Sequence, residues 1–411
     1  MKLLPVLFVS LGVILAQDAT QSTCRTCHAS LGGDLEKPAD LIQDEIHIQM
    51  GLTCASCHGG DPTNSDMAVA MSPAKGFIGV PDRQEIPELC AKCHSDGVFM
   101  HRYNPQQRVD QLALYKTSVH GKLLAKGDTA VAVCTDCHSV HNIRGVKDPH
   151  APVYPLNVPQ TCGNCHANPQ HMAKYKIPAD QLAQYHTSVH WVALKGGDLS
   201  APNCATCHGN HGATPPGVES VARVCGTCHV VFDNLFQASP HKAAFEARGL
   251  GGCVVCHSNH AVHAPTPEML GVGQGAVCGR CHTQGDPGYA TAQGMRQQID
   301  DLRALVARTE NIVNQADQAG MEMSEARLEL AAANGEYVKS RVQVHSLVLS
   351  SVDTPVKAGE AEAQKAYDMG VAALHERNVR RLGLLVSLLA IGMTLAGLVV
   401  GIRRLESKHS R

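Results

Sequence analysis

The sequence predicts a mainly α-helical and irregular protein with little sheet, closing with a long α-helical hairpin and one transmembrane helix. Three observations carry that expectation. All 18 cysteines lie before Gly288, in a stretch dense in Gly, Pro and His. After Gly288 cysteine disappears, and Ala, Gln, Glu, Arg and Leu take over with apolar residues at helical spacing. Near the end, Leu382 to Ile402 is uncharged and apolar, which suffices for one membrane span. Only 4% of the 411 residues are aromatic, with a single tryptophan. A chain so poor in large apolar side chains cannot build ordinary cores over this length.

The cysteines are used in one way. Nine copies of Cys-x-x-Cys-His consume all 18. The first five are Cys24, Cys27 and His28; Cys54, Cys57 and His58; Cys90, Cys93 and His94; Cys134, Cys137 and His138; and Cys162, Cys165 and His166. The last four are Cys204, Cys207 and His208; Cys225, Cys228 and His229; Cys253, Cys256 and His257; and Cys278, Cys281 and His282. In such a motif the two thiols add to the vinyl groups of one haem, and the adjacent imidazole becomes the proximal iron ligand. A disulfide framework needs no histidine after every second cysteine. Structural zinc pairs two such hooks per ion and would leave the ninth without a partner. A redox Cys-x-x-Cys belongs on a βαβ pattern that is absent here. The expected cofactor is haem c, nine times and covalent. Each macrocycle then supplies a flat apolar body on which short helices and loops pack.

The motifs recur in pairs. From Cys90 the chain runs to DQLALYKTSVH, ending at His120, and then to CTDCHSVH from Cys134. From Cys162 it runs to DQLAQYHTSVH, ending at His190, and then to CATCHGNH from Cys204. A shorter copy places Ser239-Pro240-His241 between Cys225 and Cys253, and His47 lies between Cys24 and Cys54. Cys278 opens an unpaired last motif. Haem iron with one protein ligand keeps a free axial position, which a second imidazole fills in low-potential carriers. His47, His120, His190 and His241 are therefore expected distal ligands. His141, His211 and His260 follow a proximal histidine by three residues. Such a residue lies within about one helical turn, roughly 5 Å, of its own proximal ligand. It cannot reach the far face of that iron, but it can ligate a neighbouring haem. His345, four residues after Arg341 on a helix face with Tyr337 and Val348, is the eighth distal candidate. His101, His150, His171, His186 and His263 remain for the ninth position, beside a methionine or no protein ligand.

Lys2 precedes the apolar run Leu3 to Ala16, then Gln17-Asp18. That order is a secretory signal, and the run is too short to span a bilayer. Export agrees with haem attachment outside the cytoplasmic membrane. A formal net charge of −2 offers no footprint for nucleic acid. Ile299, Leu302, Val306, Val313 and Ala316, then Met323, Ala326, Leu330, Ala333 and Tyr337, keep helical spacing on either side of Gly320. They predict an αα-hairpin, with Pro355 breaking its second helix and a third helix from about Lys357 running into the membrane. The seams serve packing against the haem domain, or else a dimerising coiled coil that would make the chain an oligomer. The expected parts are a signal peptide (1–16), a nonahaem cytochrome c domain (17–288), a helical hairpin with connecting helix (289–378), a transmembrane anchor (379–402) and a cytoplasmic tail (403–411).

The paired motifs, Ser-Val-His triplets and CxxCHxxH units resemble membrane-anchored multihaem c-type cytochromes of the tetrahaem and quinol-dehydrogenase cytochrome superfamily. The resemblance covers roughly Cys24 to His282. The chain departs from quinol dehydrogenases with an N-terminal anchor, because its anchor is C-terminal, so direct quinol oxidation does not carry over. The resemblance implies electron transfer on the periplasmic face of the bacterial inner membrane. The partners it implies are a membrane quinol-oxidising complex or other redox proteins, and a soluble or outer acceptor. The competing class is a multihaem reductase or oxidase of a small nitrogen or sulfur oxyanion, which needs one iron with an open position.

Overall fold

The computed structural model describes residues 22–409, so the expected signal peptide lies outside the described residues. Among them there are α-helices, 3₁₀ turns and loops, and no strand. The chain forms two compact units. One holds the residues up to Val224 together with His257–Ala264, and the other holds Cys225–Cys256 and everything from Pro265 onward.

In the first unit the third and fifth motifs are built differently from the even ones. The third and fifth motifs close nine-residue helices, Ile86–His94 and Val158–His166, each with proline in the first turn, where its missing N–H costs nothing. The second, fourth and sixth motifs are five-residue helices and nothing more: Cys54–His58, Cys134–His138 and Cys204–His208. Each of these stops at once because the next residue, Gly59, Ser139 or Gly209, takes a positive φ. Gly59 must be glycine for a second reason, since a Cβ there would stand 1.9 Å from the Gly76 carbonyl oxygen. Tyr115 donates its hydroxyl to Ala132 O at 2.8 Å, and its repeat counterpart Tyr185 donates to Pro202 O at 2.9 Å. These phenols tie the segments that carry His120 and His190 to the loops leading into the next motif. The unit's polypeptide core is small. Its buried cluster is Leu124, Val131 and Val133, flanked by Ile86, Tyr115, Leu123 and Tyr175.

In the second unit three long helices dominate: α1 Pro287–Gln318, α2 Ser324–Gln343 and α3 Leu349–His409. Asp286 caps α1 by accepting the Gly288 and Tyr289 N–H groups, and Pro287 occupies N1. The predicted hairpin is present, turning at Gly320, whose φ of +80° suits a residue without a Cβ. The first half of α3 packs on both arms, so the hairpin is two-thirds of a three-helix bundle. Its core joins Met295, Ile299, Leu302 and Val306 to Leu330 and Ala333, and to Val352, Val356, Ala363 and Ala366. Thr309, fully buried, donates to Ala363 O at 3.1 Å and so pins α1 to α3.

The expectation for Pro355 is corrected. It lies inside α3, and the chain turns earlier, through the 3₁₀ segment Val344–Ser346 and Leu347 at φ 55°. Proline removes one helical hydrogen bond, but its neighbours Val352 and Val356 are buried in the bundle, and that burial keeps the helix continuous. Leu302→Ala should weaken the bundle by about 2–5 kcal/mol, since a fully buried leucine leaves a cavity. Thermal unfolding followed by circular dichroism checks this, and a loss below about 1 kcal/mol would contradict the packing.

Beyond the bundle α3 continues without a break into the apolar run. That stretch is long and apolar enough to cross a membrane, and none of it is buried.

Candidate functional site

The Ser-Val-His triplet has a structural reason. Ser118 and Ser188 are N-caps whose hydroxyls accept the N–H groups of Gly121 and Trp191. His120 and His190 then fall at the second position of the helices Val119–Leu124 and Val189–Lys195. His241 has the same place in Pro240–Ala247, behind Ser239. His47 has it in Ile46–Gln49, but there the N-cap residue is Glu45. His141 sits in a loop at φ 62°, two residues after the positive-φ Ser139.

Six of these histidines stand opposite a motif histidine. His47 faces His94 with ring centroids 5.9 Å apart, His120 faces His166 at 6.1 Å, and His241 faces His282 at 5.8 Å. His141 faces His58 at 6.0 Å, His211 faces His138 at 6.2 Å, and His260 faces His208 at 6.0 Å. A nitrogen–metal bond of about 2 Å puts two imidazoles on opposite sides of one metal with centroids about 6 Å apart. His47, His120 and His241 thus each meet an odd motif beyond their own pair, and His141, His211 and His260 each meet the preceding even motif. The two classes also differ in ring geometry. The even-motif pairs are near parallel, at 25°, 5° and 19°, whereas the odd-motif pairs are crossed at 80°, 51° and 70°.

The protonation state suits ligation. Burial pushes His94, His120, His141, His166, His208, His211, His241 and His260 below the usual imidazole range, and His138 down to about 4. Neutral imidazole is the form that binds metal. Second partners orient several rings. His28 Nδ1 donates to Leu35 O at 3.0 Å, His58 Nδ1 to Gly79 O at 2.8 Å and His345 Nδ1 to Val342 O at 3.0 Å. His47 Nδ1 meets the Glu45 carboxylate at 2.6 Å, and His282 Nδ1 meets Asp286 at 2.9 Å. An Nδ1–H so engaged leaves the Nε2 lone pair for the metal.

The cysteines fall into the same pairs. First thiols lie beside one another across a pair: Cys90 with Cys134, Cys162 with Cys204 and Cys225 with Cys253. Cys24 is likewise within electrostatic reach of Cys54. Second thiols link successive pairs, Cys57 to Cys93 and Cys137 to Cys165, and Cys256 lies near Cys278. All 18 thiols are free, and no three metal-binding side chains cluster among the described residues. The small polypeptide core, the facing neutral imidazoles and the paired thiols fit haem.

His345 is at the corner between α2 and α3 rather than on the face of a helix, with the Phe232 ring edge-on at 4.8 Å. His229 precedes the helix Val230–Gln237, and His257 closes the eighth motif. His28 has no second imidazole opposite it among the described residues. His101 Nε2 donates to Gln107 O at 3.1 Å, His150 is exposed beside Asp148, and His171 and His186 pack on Tyr175 and Trp191. None of these four faces a motif histidine among the described residues. Glu45, Asp286, Tyr115 and Tyr185 were missed from sequence. Aligning Glu45-Ile46-His47 with the serine triplets would have found Glu45, and the repeat itself contains both tyrosines.

The cytochrome c3 family model matches residues 46–167, less than a third of the chain, and the match holds the second to fifth motifs. Covalent haem, iron and multihaem electron transfer follow from that likeness. No curated protein and no solved structure matches the chain at a significant level.

Proposed function

We propose that the chain binds nine covalent haems and passes electrons along them, between a quinol-linked membrane complex and a periplasmic or outer acceptor. The observation that carries this reading is the set of six facing imidazole pairs, each made of one motif histidine and one from outside the motifs. His190 joins the distal set by its place in the repeat and His345 by its oriented Nδ1, which makes eight distal histidines for nine haems. Each haem, when bound, supplies a one-electron iron couple. Within each unit the residues would hold the macrocycles in sequence order, because successive motifs bring their thiols into electrostatic reach from the first to the sixth, and separately from the seventh to the ninth. Axial ligands, burial and hydrogen bonds then set the potentials. The leader exports the chain, and α3 anchors it in the inner membrane with the haems on the periplasmic side.

His28 favours a second reading. A haem there, lacking an opposing imidazole among the described residues, would offer the open position that reduction of a small nitrogen or sulfur oxyanion needs. Mass spectrometry is expected to give nine haems, and electron paramagnetic resonance two low-spin classes, from parallel and crossed imidazoles. Fewer than nine would mean vestigial motifs. A high-spin signal that responds to nitrite or hydroxylamine would overturn the pure carrier in favour of the reductase.

A further inference from the structure

Glu45 breaks the rule of the repeat. In the other three copies the residue two before the distal histidine is a serine, Ser118, Ser188 or Ser239. Ser118 and Ser188 spend their hydroxyls on backbone N–H groups of their own helices. Glu45 caps nothing. Its side chain is only 6% exposed, and Oε1 lies 2.6 Å from His47 Nδ1. The other oxygen, Oε2, accepts the Ile143 N–H. The site is built from both sides of the fold: Ile46 N–H donates to Ile143 O at 2.8 Å, and Arg144 pairs with Asp44. Both carboxylate oxygens thus accept from N–H donors. The contrast with His241 is direct, because its Nδ1 is buried with no hydrogen-bond partner. Asp286 also touches a motif imidazole, that of His282, but it also accepts the Gly288 and Tyr289 N–H groups and is 36% exposed.

We propose that Glu45 is a potential-setting residue, holding the haem of the third motif, between His47 and His94, more reducing than its repeat counterpart between His120 and His166. This rests on the proposed haem ligation. A buried anion on Nδ1–H makes the imidazole more basic and electron-donating, which stabilises ferric over ferrous iron. Glu45 touches no haem itself and acts only through His47. One low-potential haem near the start of the row would then be a step electrons must climb to or fall from, so its placement sets the direction in which the row fills.

The test is a potentiometric titration of the full-length haem-loaded protein, followed optically and by electron paramagnetic resonance, comparing wild type with Glu45→Gln and Glu45→Ser. Glutamine keeps the size and an acceptor without the charge, and serine installs the residue that the other copies tolerate. In both variants one redox component should move positive by at least a tenfold change in its oxidised-to-reduced ratio at fixed potential, about 59 mV for one electron. The other components and the low-spin count should not move. Unchanged midpoints in both variants, or loss of one low-spin signal in both, would overturn the proposal; the latter would make Glu45 a mere prop for His47. His47→Ala, run alongside, keeps the two ideas apart: if it creates no high-spin haem, the ligand assignment itself has failed.

Discussion

Replacing His211 by alanine is expected to turn one six-coordinate haem into a five-coordinate, high-spin haem that binds carbon monoxide when reduced. His211 stands 6.2 Å from His138, with the two rings only 5° from parallel, and no other described imidazole faces that motif. His211 comes 73 positions after His138 in sequence, so no local rearrangement supplies a substitute. One extra high-spin haem per chain is the expected amplitude. His150→Ala should change nothing, because that ring is 80% exposed beside Asp148. An unchanged spectrum for His211→Ala would remove the distal role of the whole post-motif class, His141 and His260 included.

Ending the chain after Asn378 is expected to move the protein from the membrane to the soluble fraction with its haem content unchanged. The run Leu382 to Ile402 has 21 residues, about 31 Å of helix, close to the roughly 30 Å of a bilayer core. Its apolar side chains are exposed all round, with Leu388 at 56% and Leu395 at 58%, so water is the wrong solvent for it. The bundle does not depend on that segment, since its buried residues on α3 end at Ala373. Fractionation with haem absorbance decides the matter. A truncated protein that stays in the membrane would mean that something other than α3 holds it there.

Much of the site was legible because its chemistry is local. Two thioethers and a proximal ligand need five consecutive residues, and Cys-x-x-Cys-His names all of them. The distal candidates were legible one step later, from recurrence alone: Ser-Val-His ahead of Cys134 and Cys204, and histidine three residues past His138, His208 and His257. The long helices were legible from apolar spacing, with Gly320 marking the turn. Pro355 misled because propensity counts a lost hydrogen bond and not the burial of Val352 and Val356 that outweighs it. His345 was placed on a helix face because the spacing from Arg341 continues through it, whereas the chain has already tightened into a 3₁₀ turn.

What the sequence by itself determined is therefore which residues are candidates for haem attachment and ligation, and how often their motif recurs. Those are properties of short segments, written in residue type and spacing. What only the tertiary structure decided is which imidazole faces which motif, whether their rings lie parallel or crossed, and which of them meets a carboxylate. His47 and His120 look alike in the repeat, and only folding brings the Ile143 segment up to close Glu45 onto His47. The physical reason is that each facing pair joins segments tens of residues apart, and spacing along a chain does not encode distance across it.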